Sequence, residues 1–117
     1  DNHIHELWQR LGQAWKYGGA ISRDTRAPLA AGNPAGFAWE HDETQHMVYR
    51  GADHHIHELW QKRGHGCEYG GALCKKVNAP LAAGDPACYA WEKDGTQHIV
   101  YRGFGLSSAE RPGRSNP

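Results

Sequence analysis

The sequence has no long hydrophobic run and no excess of charge of either sign. Its apolar stretches fall far short of the roughly 18 residues that a membrane-spanning helix needs, and no signal peptide is visible. Thirteen basic and thirteen acidic residues cancel, so no broad electrostatic attraction to nucleic acid or to an anionic membrane is expected. We therefore expect a soluble protein with neither nucleic acid nor membrane as a partner.

Catalytic motifs and disulfide frameworks are also missing. The sequence contains no glycine-rich phosphate-binding loop and no nucleophile motif, and its few serines lie in a variable loop and near the C terminus. The only cysteines are Cys67, Cys74 and Cys88. An odd number confined to one half of the chain favours neither a disulfide framework nor a metal knuckle. We expect a protein that is not an enzyme and that holds no cofactor or metal.

What the sequence does contain is a tandem duplication with an offset of 52 residues. The stretch His3–Gln9 returns unchanged as His55–Gln61, and 32 of the 52 aligned positions are identical without a gap. A period near 50 residues is typical of solenoids, propellers and other repeat arrays. The two repeats cover residues 1–52 and 53–104.

Each repeat contains four short segments that are typical of β-strands, being rich in β-branched and aromatic residues between turn signals. In the first repeat these segments are residues 2–8, 14–17, 34–40 and 44–50. Four antiparallel strands in about 50 residues are typical of one β-propeller blade. The predicted fold class is all-β, with each repeat forming one blade.

The connections between these strands are predicted from their glycine and proline content. Gly18-Gly19 is expected to end the second strand. Residues 21–33 are expected to form an exposed loop, because they carry Pro28 and differ most between the repeats. Residues 41–43 are expected to form a tight turn.

Two blades in one chain are too few to close a propeller, which needs about four to eight. In mid-chain, the last strand of the first repeat is followed directly by the first strand of the second repeat. The equivalent strands 96–102 and 2–8 stand at the two ends of the sequence, so each is left with an unpaired edge. We predict that strand 96–102 of one chain pairs with strand 2–8 of the next, and that three chains form a six-bladed homotrimer. Two or four chains, with four or eight blades, are the alternatives. Residues 105–117 are predicted to be a polar, frayed tail.

The pattern at the repeat junction resembles that of the bacterial and fungal β-propeller lectins that bind fucose. In those lectins a strand ending in Val-Tyr leads through a turn to an Ile-x-Glu strand with a tryptophan, followed by an aromatic residue and Gly-Gly. The corresponding segments here are His98–Tyr101, Ile56–Trp60 and Tyr69–Gly71. The resemblance covers residues 1–104 and implies a β-propeller fold. Some of these lectins are two-blade chains that trimerise, which agrees with the predicted six-bladed assembly.

The resemblance also implies sugar sites between adjacent blades, each formed by an arginine, a glutamate and stacking tryptophans. Met47 and Ile99 occupy the arginine position here, so Arg50 and Arg102 are the nearest substitutes. The candidate ligand-binding residues are therefore Glu6, Trp8, Trp39, Arg50, Glu58, Trp60, Trp91 and Arg102.

Each of these candidates also has a structural interpretation. The tryptophans could fill the contact between blades instead of stacking on a ligand. The two glutamates could form ion pairs with the two arginines, because a carboxylate inside a strand is costly to bury unpaired. Histidines that share a strand face, His3 with His5 and His55 with His57, suggest a metal ligand pair, but no third ligand recurs beside them. The predicted function is carbohydrate binding, and the alternative is a non-catalytic scaffold or protein-interaction module.

Overall fold

The computed structural model describes residues 1–107 of the chain, which form mostly β-strands with two single-turn α-helices. The strands are β1 (His5–Trp8), β2 (Lys16–Ala20), β3 (Ala35–Trp39), β4 (Thr44–Arg50), β5 (Ile56–Lys62), β6 (Cys67–Ala72), β7 (Pro80–Ala82), β8 (Ala87–Trp91), β9 (Thr96–Val100) and β10 (Gly103–Ser107). The helices are α1 (Ile21–Asp24) and α2 (Leu73–Lys76), and a 3₁₀ turn covers Glu40–Asp42. The predicted all-β class is confirmed. Within the described residues, neither helix is long and apolar enough to cross a membrane.

The strand predicted over residues 14–17 lies later in the chain, and the prediction that Gly18-Gly19 ends it was wrong. Strand β2 covers Lys16–Ala20 and pairs with β1 on both sides of the glycines, with Gly19 facing Glu6 and Gly18 left without a facing residue. The pairing is irregular there, because the register shifts between Glu6 and Leu7 opposite the glycines. Gly19 has a φ of +105°, a conformation that L side chains rarely adopt. The glycines therefore shape a bulge within the strand rather than terminating it.

The exposed loop predicted over residues 21–33 was also wrong at its start. Ile21 and Ser22 lie in α1 and are buried. The hydroxyl oxygen of Ser22 accepts a hydrogen bond of 2.9 Å from the backbone N–H of Ile4. In the second repeat, the sulfur of Cys74 occupies the same place and accepts from the N–H of Ile56. At Ser22 the variation between the repeats thus reflects a change of buried acceptor, whereas the variable residues Arg23, Asp24, Arg26 and Asn33 are exposed as predicted.

The main sheet combines strands from both repeats. Its order is β3-β4-β5-β6, so the last two strands of the first repeat join the first two strands of the second. This sheet therefore differs from the predicted blades 1–52 and 53–104. The β1–β2 and β8–β9 pairs form separate two-stranded sheets. The pairing of β8 with β9 repeats that of β3 with β4, because Ala87 faces Val100 as Ala35 faces Val48.

Each face of this central sheet carries a buried cluster, which explains why its strands lack a simple alternation of apolar and polar residues. The cluster on one face joins the sheet to the first repeat and contains Ile4, Ile21, Ala30, Tyr49 and Leu59. The cluster on the other face joins it to the second repeat and contains Val48, Ile56, Cys74 and Ala82, with Ile99 and Tyr101 packed beside them. The β8–β9 pair therefore packs on the central sheet as the central sheet packs on β1–β2.

The segment after β9 continues the pairing beyond the repeat. Gly103–Ser107 forms β10, which pairs with β7. The bridge between Ala30 and Gly51 is its counterpart in the first repeat. The predicted tail 105–117 therefore begins with strand residues, and residues 108–117 lie outside the described part of the chain.

Tyr49 provides a test of how much one buried hydrogen bond contributes to this fold. Its side chain is fully buried, its hydroxyl donates a bond of 2.6 Å to the carbonyl of Pro28, and burial raises its pKa. Tyr49→Phe leaves that carbonyl without its donor, so we expect the free energy of unfolding in urea to fall by about 1–3 kcal/mol. The control is Tyr89→Phe, which introduces the residue type found at the equivalent position of the first repeat, Phe37. This change should alter the free energy of unfolding by less than about 0.5 kcal/mol. Equal effects of the two changes would contradict this assignment.

Candidate ligand-binding site

An open cavity of about 750 Å³ lies between the β1–β2 pair and one end of the central sheet. One wall is formed by β1 and β2, the second by the end of β3 and the start of β4, and the third by the end of β5 and the turn that follows it. The aromatic and charged side chains that line the cavity are two tryptophans, three glutamates and two arginines: Trp8, Trp39, Glu6, Glu40, Glu43, Arg10 and Arg63. The cavity is thus aromatic and polar at once.

The two tryptophans come from opposite walls of the cavity. Trp8 lies on β1, where the ammonium group of Lys16 sits 5.2 Å from the centre of its ring. Trp39 ends β3 and stacks on His41 with 6.4 Å between ring centres. The indole N–H of Trp39 is buried and has no hydrogen-bond partner among the described residues. Leaving such a donor unpaired costs about 1–3 kcal/mol.

The acidic groups of the cavity are held in two different ways. Glu43 accepts a hydrogen bond of 2.9 Å from Arg63 across the mouth of the cavity. Glu6 has no hydrogen bond or ion pair among the described residues, and its carboxylate lies against Gly18. A Cβ on Gly18 would come within 2.5 Å of a carboxylate oxygen of Glu6, so a larger residue there would require this carboxylate to shift.

The ion pairs predicted between glutamates and arginines were wrong within the described residues. Glu58 instead accepts a bond of 2.8 Å from Nδ1 of His46, and both side chains are largely buried. Arg50 pairs with Asp85 at 3.3 Å, and Arg102 donates to the carbonyl of Ala83. Val48 faces Glu58 in the register, so His46 and Arg50 are its two diagonal neighbours. His46 takes the contact because its ring is already fixed between other groups.

The position of His46 follows from its neighbours. Its ring stacks on Phe37 with 4.9 Å between centres, and its Nε2 lies 2.7 Å from the hydroxyl of Thr44. The Thr44 hydroxyl in turn donates a hydrogen bond to Asp42. Both ring nitrogens of His46 are therefore engaged, Nε2 with Thr44 and Nδ1 with Glu58. The recurrence of Thr-x-His in both repeats is the sequence signal that could have revealed this chain of bonds.

The structure brings together three of the eight predicted site residues. Glu6, Trp8 and Trp39 line the cavity, and the others lie outside it: Arg50, Glu58, Trp60, Trp91 and Arg102. Sequence reasoning missed Glu43 and Arg63, because their counterparts in the other repeat, Gly95 and Leu11, are of other residue types and no repeated pattern marks them.

Most of the repeated histidines form side-chain hydrogen bonds within their own chain, whereas the buried Nδ1 of His55 has no partner among the described residues. His57 is bonded through Nδ1 to the Tyr69 hydroxyl at 2.8 Å and through Nε2 to Asp53 at 2.9 Å. Burial by itself would raise the pKa of Asp53, but the bonds from His57 and from the backbone of His55 outweigh it and lower that pKa. His5 makes the same two contacts in the first repeat, to Tyr17 and Asp1. Among the described residues, no group of three possible metal ligands is gathered.

Comparisons with protein families, with characterised proteins and with solved structures gave no match to this chain.

Proposed function

We propose that this protein binds carbohydrate in the cavity between β1–β2 and the central sheet. The observation that carries the proposal is the pairing of two tryptophans from opposite walls with carboxylate and guanidinium groups in one open cavity. Ligand sites combine apolar and aromatic surface with a few fixed polar groups that set orientation. A saccharide matches this arrangement, because its ring presents C–H groups to an aromatic face and hydroxyl groups to the side.

The hydrogen-bonding groups of the cavity also suit hydroxyl ligands. Glu6 and Glu40 can accept from hydroxyl groups, Arg10 can donate to them, and each hydroxyl can do both. Positive and negative groups are mixed here, which favours a neutral polyhydroxylated ligand over a strongly charged one.

We further propose that the binding form is a closed β-propeller made of several chains. Support comes from identical residues that differ in exposure between the repeats. Leu59 is 0% exposed while Leu7 is 69% exposed, and Val48 is 0% exposed while Val100 is 52% exposed. Exposed apolar side chains grouped at sheet edges and faces mark interaction surfaces. A second copy that pairs β1 with β9 would give Leu7 and Val100 the surroundings that Leu59 and Val48 already have.

The pairing of β4 with β5 supplies the register for this contact. Thr44 faces Lys62 and Arg50 faces Ile56. Moved by one repeat, this places Thr96–Val100 of one chain opposite Glu6–Arg10 of the next. Each sheet would then have four strands, as the central sheet has. Three chains of two sheets each give six blades, which lies within the range of about four to eight that propellers use.

Tryptophan fluorescence and calorimetric titration with a glycan panel test the binding proposal. Trp8→Ala removes one aromatic wall, and we expect the affinity of this cavity to fall about 30-fold, close to the 2 kcal/mol typical of a central aromatic contact. The control is Trp15→Ala, since Trp15 is exposed and does not line the cavity. A wild-type protein that binds no glycan on the panel would favour the alternative of a scaffold or protein-interaction module.

A further inference from the structure

We infer that the turn formed by residues 51–55, the joining turn between the two repeats, is a pH-sensitive element that is held closed while His55 is neutral and opens as this histidine gains a proton. The basis is a buried ring nitrogen of His55 that has no hydrogen-bond partner among the described residues. The joining turn lies at one end of the central sheet and the candidate cavity at the other, so this inference does not rest on the proposed function.

The joining turn holds parts of both repeats in place. The N–H of Gly51 donates to the carbonyl of His55, and the N–H of His54 donates to the carbonyl of Gly51, both at 3.0 Å. The carbonyl of His54 accepts a bond of 2.7 Å from Ala82 of β7, and Gly51 forms a β-bridge with Ala30 of the first repeat. Opening of this turn would therefore release contacts in both repeats.

One residue difference between the repeats removes the partner of His55. In the first repeat, Nδ1 of His3 lies 3.0 Å from the hydroxyl of Ser22. The counterparts of these two residues are His55 and Cys74, and the thiol of Cys74 instead donates a hydrogen bond of 3.6 Å to the hydroxyl of Tyr101. The exchange of a hydroxyl for a thiol thus leaves Nδ1 of His55 buried and without a partner among the described residues.

A proton on this nitrogen has no acceptor in the closed turn. A neutral imidazole carries one ring proton and can hold it on Nε2, whereas the charged ring carries a proton on both nitrogens. A charged His55 would therefore place a buried N–H donor where no acceptor lies, which costs free energy. Burial accordingly lowers the pKa of His55 below its usual value. Opening of the turn exposes the ring to water, so the open form binds a proton more readily than the closed form.

The charged and titratable groups around His55 offset only a part of this effect. Asp53 favours the charged ring, and its carboxylate accepts a bond of 3.1 Å from the backbone N–H of His55. The same carboxylate is shared with His57, whose Nε2 lies 2.9 Å away. Lys75 of α2 and the rings of His54 and His57 disfavour a positive charge on His55.

The direction of the pH effect follows from the lowered pKa. In the open turn His55 is expected to titrate near the usual pKa of histidine, about 6.5. Well above that pH the ring is neutral in both forms, and the closed turn keeps its full stability. As the pH falls below about 6.5, the open form takes up a proton that the closed form does not, and opening is favoured by up to about tenfold for each pH unit.

Native-state hydrogen exchange at Ala82 measures this opening, because its N–H is bonded to the carbonyl of His54. Ala30 is the control within the same chain, since its N–H donates in the same way to the carbonyl of Asn2 at 2.8 Å. Protection factors, which correct for the intrinsic rate of exchange, are compared at pH 7 and pH 5. We expect the protection of Ala82 to fall about tenfold relative to that of Ala30.

Two reciprocal substitutions test whether the missing hydroxyl is the cause. Cys74→Ser gives His55 the partner type that its counterpart has. It should raise the pKa of His55, followed by NMR titration, and should remove the difference between Ala82 and Ala30. Ser22→Cys makes the opposite exchange in the first repeat and should make the protection of Ala30 fall at pH 5 as that of Ala82 does.

A third substitution separates His55 from its neighbour His54, whose Nδ1 is also buried without a partner among the described residues. His54→Asn introduces the residue type of the first repeat, Asn2, which has a similar φ of 61° against 66°. This change should leave the acid response of Ala82 as it is in the wild type. Loss of the response would assign it to His54 and overturn the inference.

The remaining outcomes decide the inference in the same way. Parallel protection of Ala82 and Ala30 at both pH values in the wild-type protein would show that the joining turn does not respond to acid. A Cys74→Ser protein that keeps the wild-type response would exclude the missing hydroxyl as its cause. If Cys74→Ser does not fold, Ser22→Cys decides, because unchanged protection of Ala30 at pH 5 contradicts the inference and a fall supports it.

Discussion

Leu7→Asp should separate the assembly into single chains, whereas Leu59→Asp should unfold the chain itself. The two leucines occupy the same position of the two repeats. Leu59 is buried within its own chain, and Leu7 is 69% exposed there. Aspartate at Leu59 loses about 1.5–3 kcal/mol of apolar burial and adds a buried, unpaired carboxylate that costs several kcal/mol more. That total is comparable to the whole stability of a small domain, about 5–15 kcal/mol.

Aspartate in place of Leu7 incurs the same penalty only when a second copy of the chain covers this side chain. We therefore expect Leu7→Asp to weaken association by at least about a thousandfold, equivalent to roughly 4 kcal/mol. Sedimentation equilibrium measures the association, and far-UV circular dichroism reports whether the chain retains its β-structure. Val77→Asp is the control, because Val77 is exposed on the C-terminal side of α2 and should leave both readouts unchanged. A Leu7→Asp protein that still sediments as the wild-type oligomer would exclude pairing of β1 with another chain.

Glu6→Ala should weaken association, and Glu58→Ala should destabilise the fold. Glu58 is hydrogen-bonded to Nδ1 of the largely buried His46 at 2.8 Å. Removal of the carboxylate leaves this buried ring nitrogen without its partner, which costs about 1–3 kcal/mol. In Glu58→Ala this loss should lower the free energy of unfolding of the single chain, measured in urea. The register of β4 with β5, moved by one repeat, sets Glu6 of one chain diagonally opposite His98 of another. In Glu6→Ala the loss therefore appears where β1 pairs with β9 of the other chain, and we expect association to fall by at least about a hundredfold.

A double-mutant cycle shows whether Glu6 acts on His98. If the two residues pair between chains, His98→Ala should cost little more once Glu6→Ala is present, so that the coupling energy is at least about 1–3 kcal/mol. The matched cycle of His46 and Glu58, measured by urea unfolding, gives the value for the same pair within one chain. Additive effects of Glu6→Ala and His98→Ala on association would show that the two side chains do not meet.

Strands could be predicted where turn residues bound a segment that is rich in β-branched and aromatic residues. The strand predicted over residues 44–50 is observed with those bounds, and the strand predicted over 34–40 is one residue shorter at each end. Gly18-Gly19 misled the prediction, because glycine marks both strand ends and bulges, and only pairing with β1 distinguishes the two. Ser22 misled it as well, since a polar residue in a variable segment gives no sign of being a buried acceptor.

The candidate site could be predicted only where its residues recur in both repeats. Trp8 and Glu6 recur in the second repeat and could be recognised as a pattern. Glu43 and Arg63 have no counterpart of the same type, so their ion pair had no signal in a single sequence. The choice of His46 over Arg50 as the partner of Glu58 depends on the stacking of Phe37 and on the bond from Thr44, which exist only once β3, β4 and β5 are assembled.

The sequence by itself determined that the chain is a duplication, that it is built of short strands, and that equivalent strands pair alike. Only the tertiary structure decided which strands share a sheet, with β3 and β4 joined to β5 and β6 across the repeat boundary. It also decided which of two identical residues is buried. Leu7 and Leu59 lie in the same heptapeptide, so local preference is the same for both. Their exposure differs because burial depends on what the rest of the chain places against a side chain, and within the described residues nothing covers Leu7 as the first repeat covers Leu59.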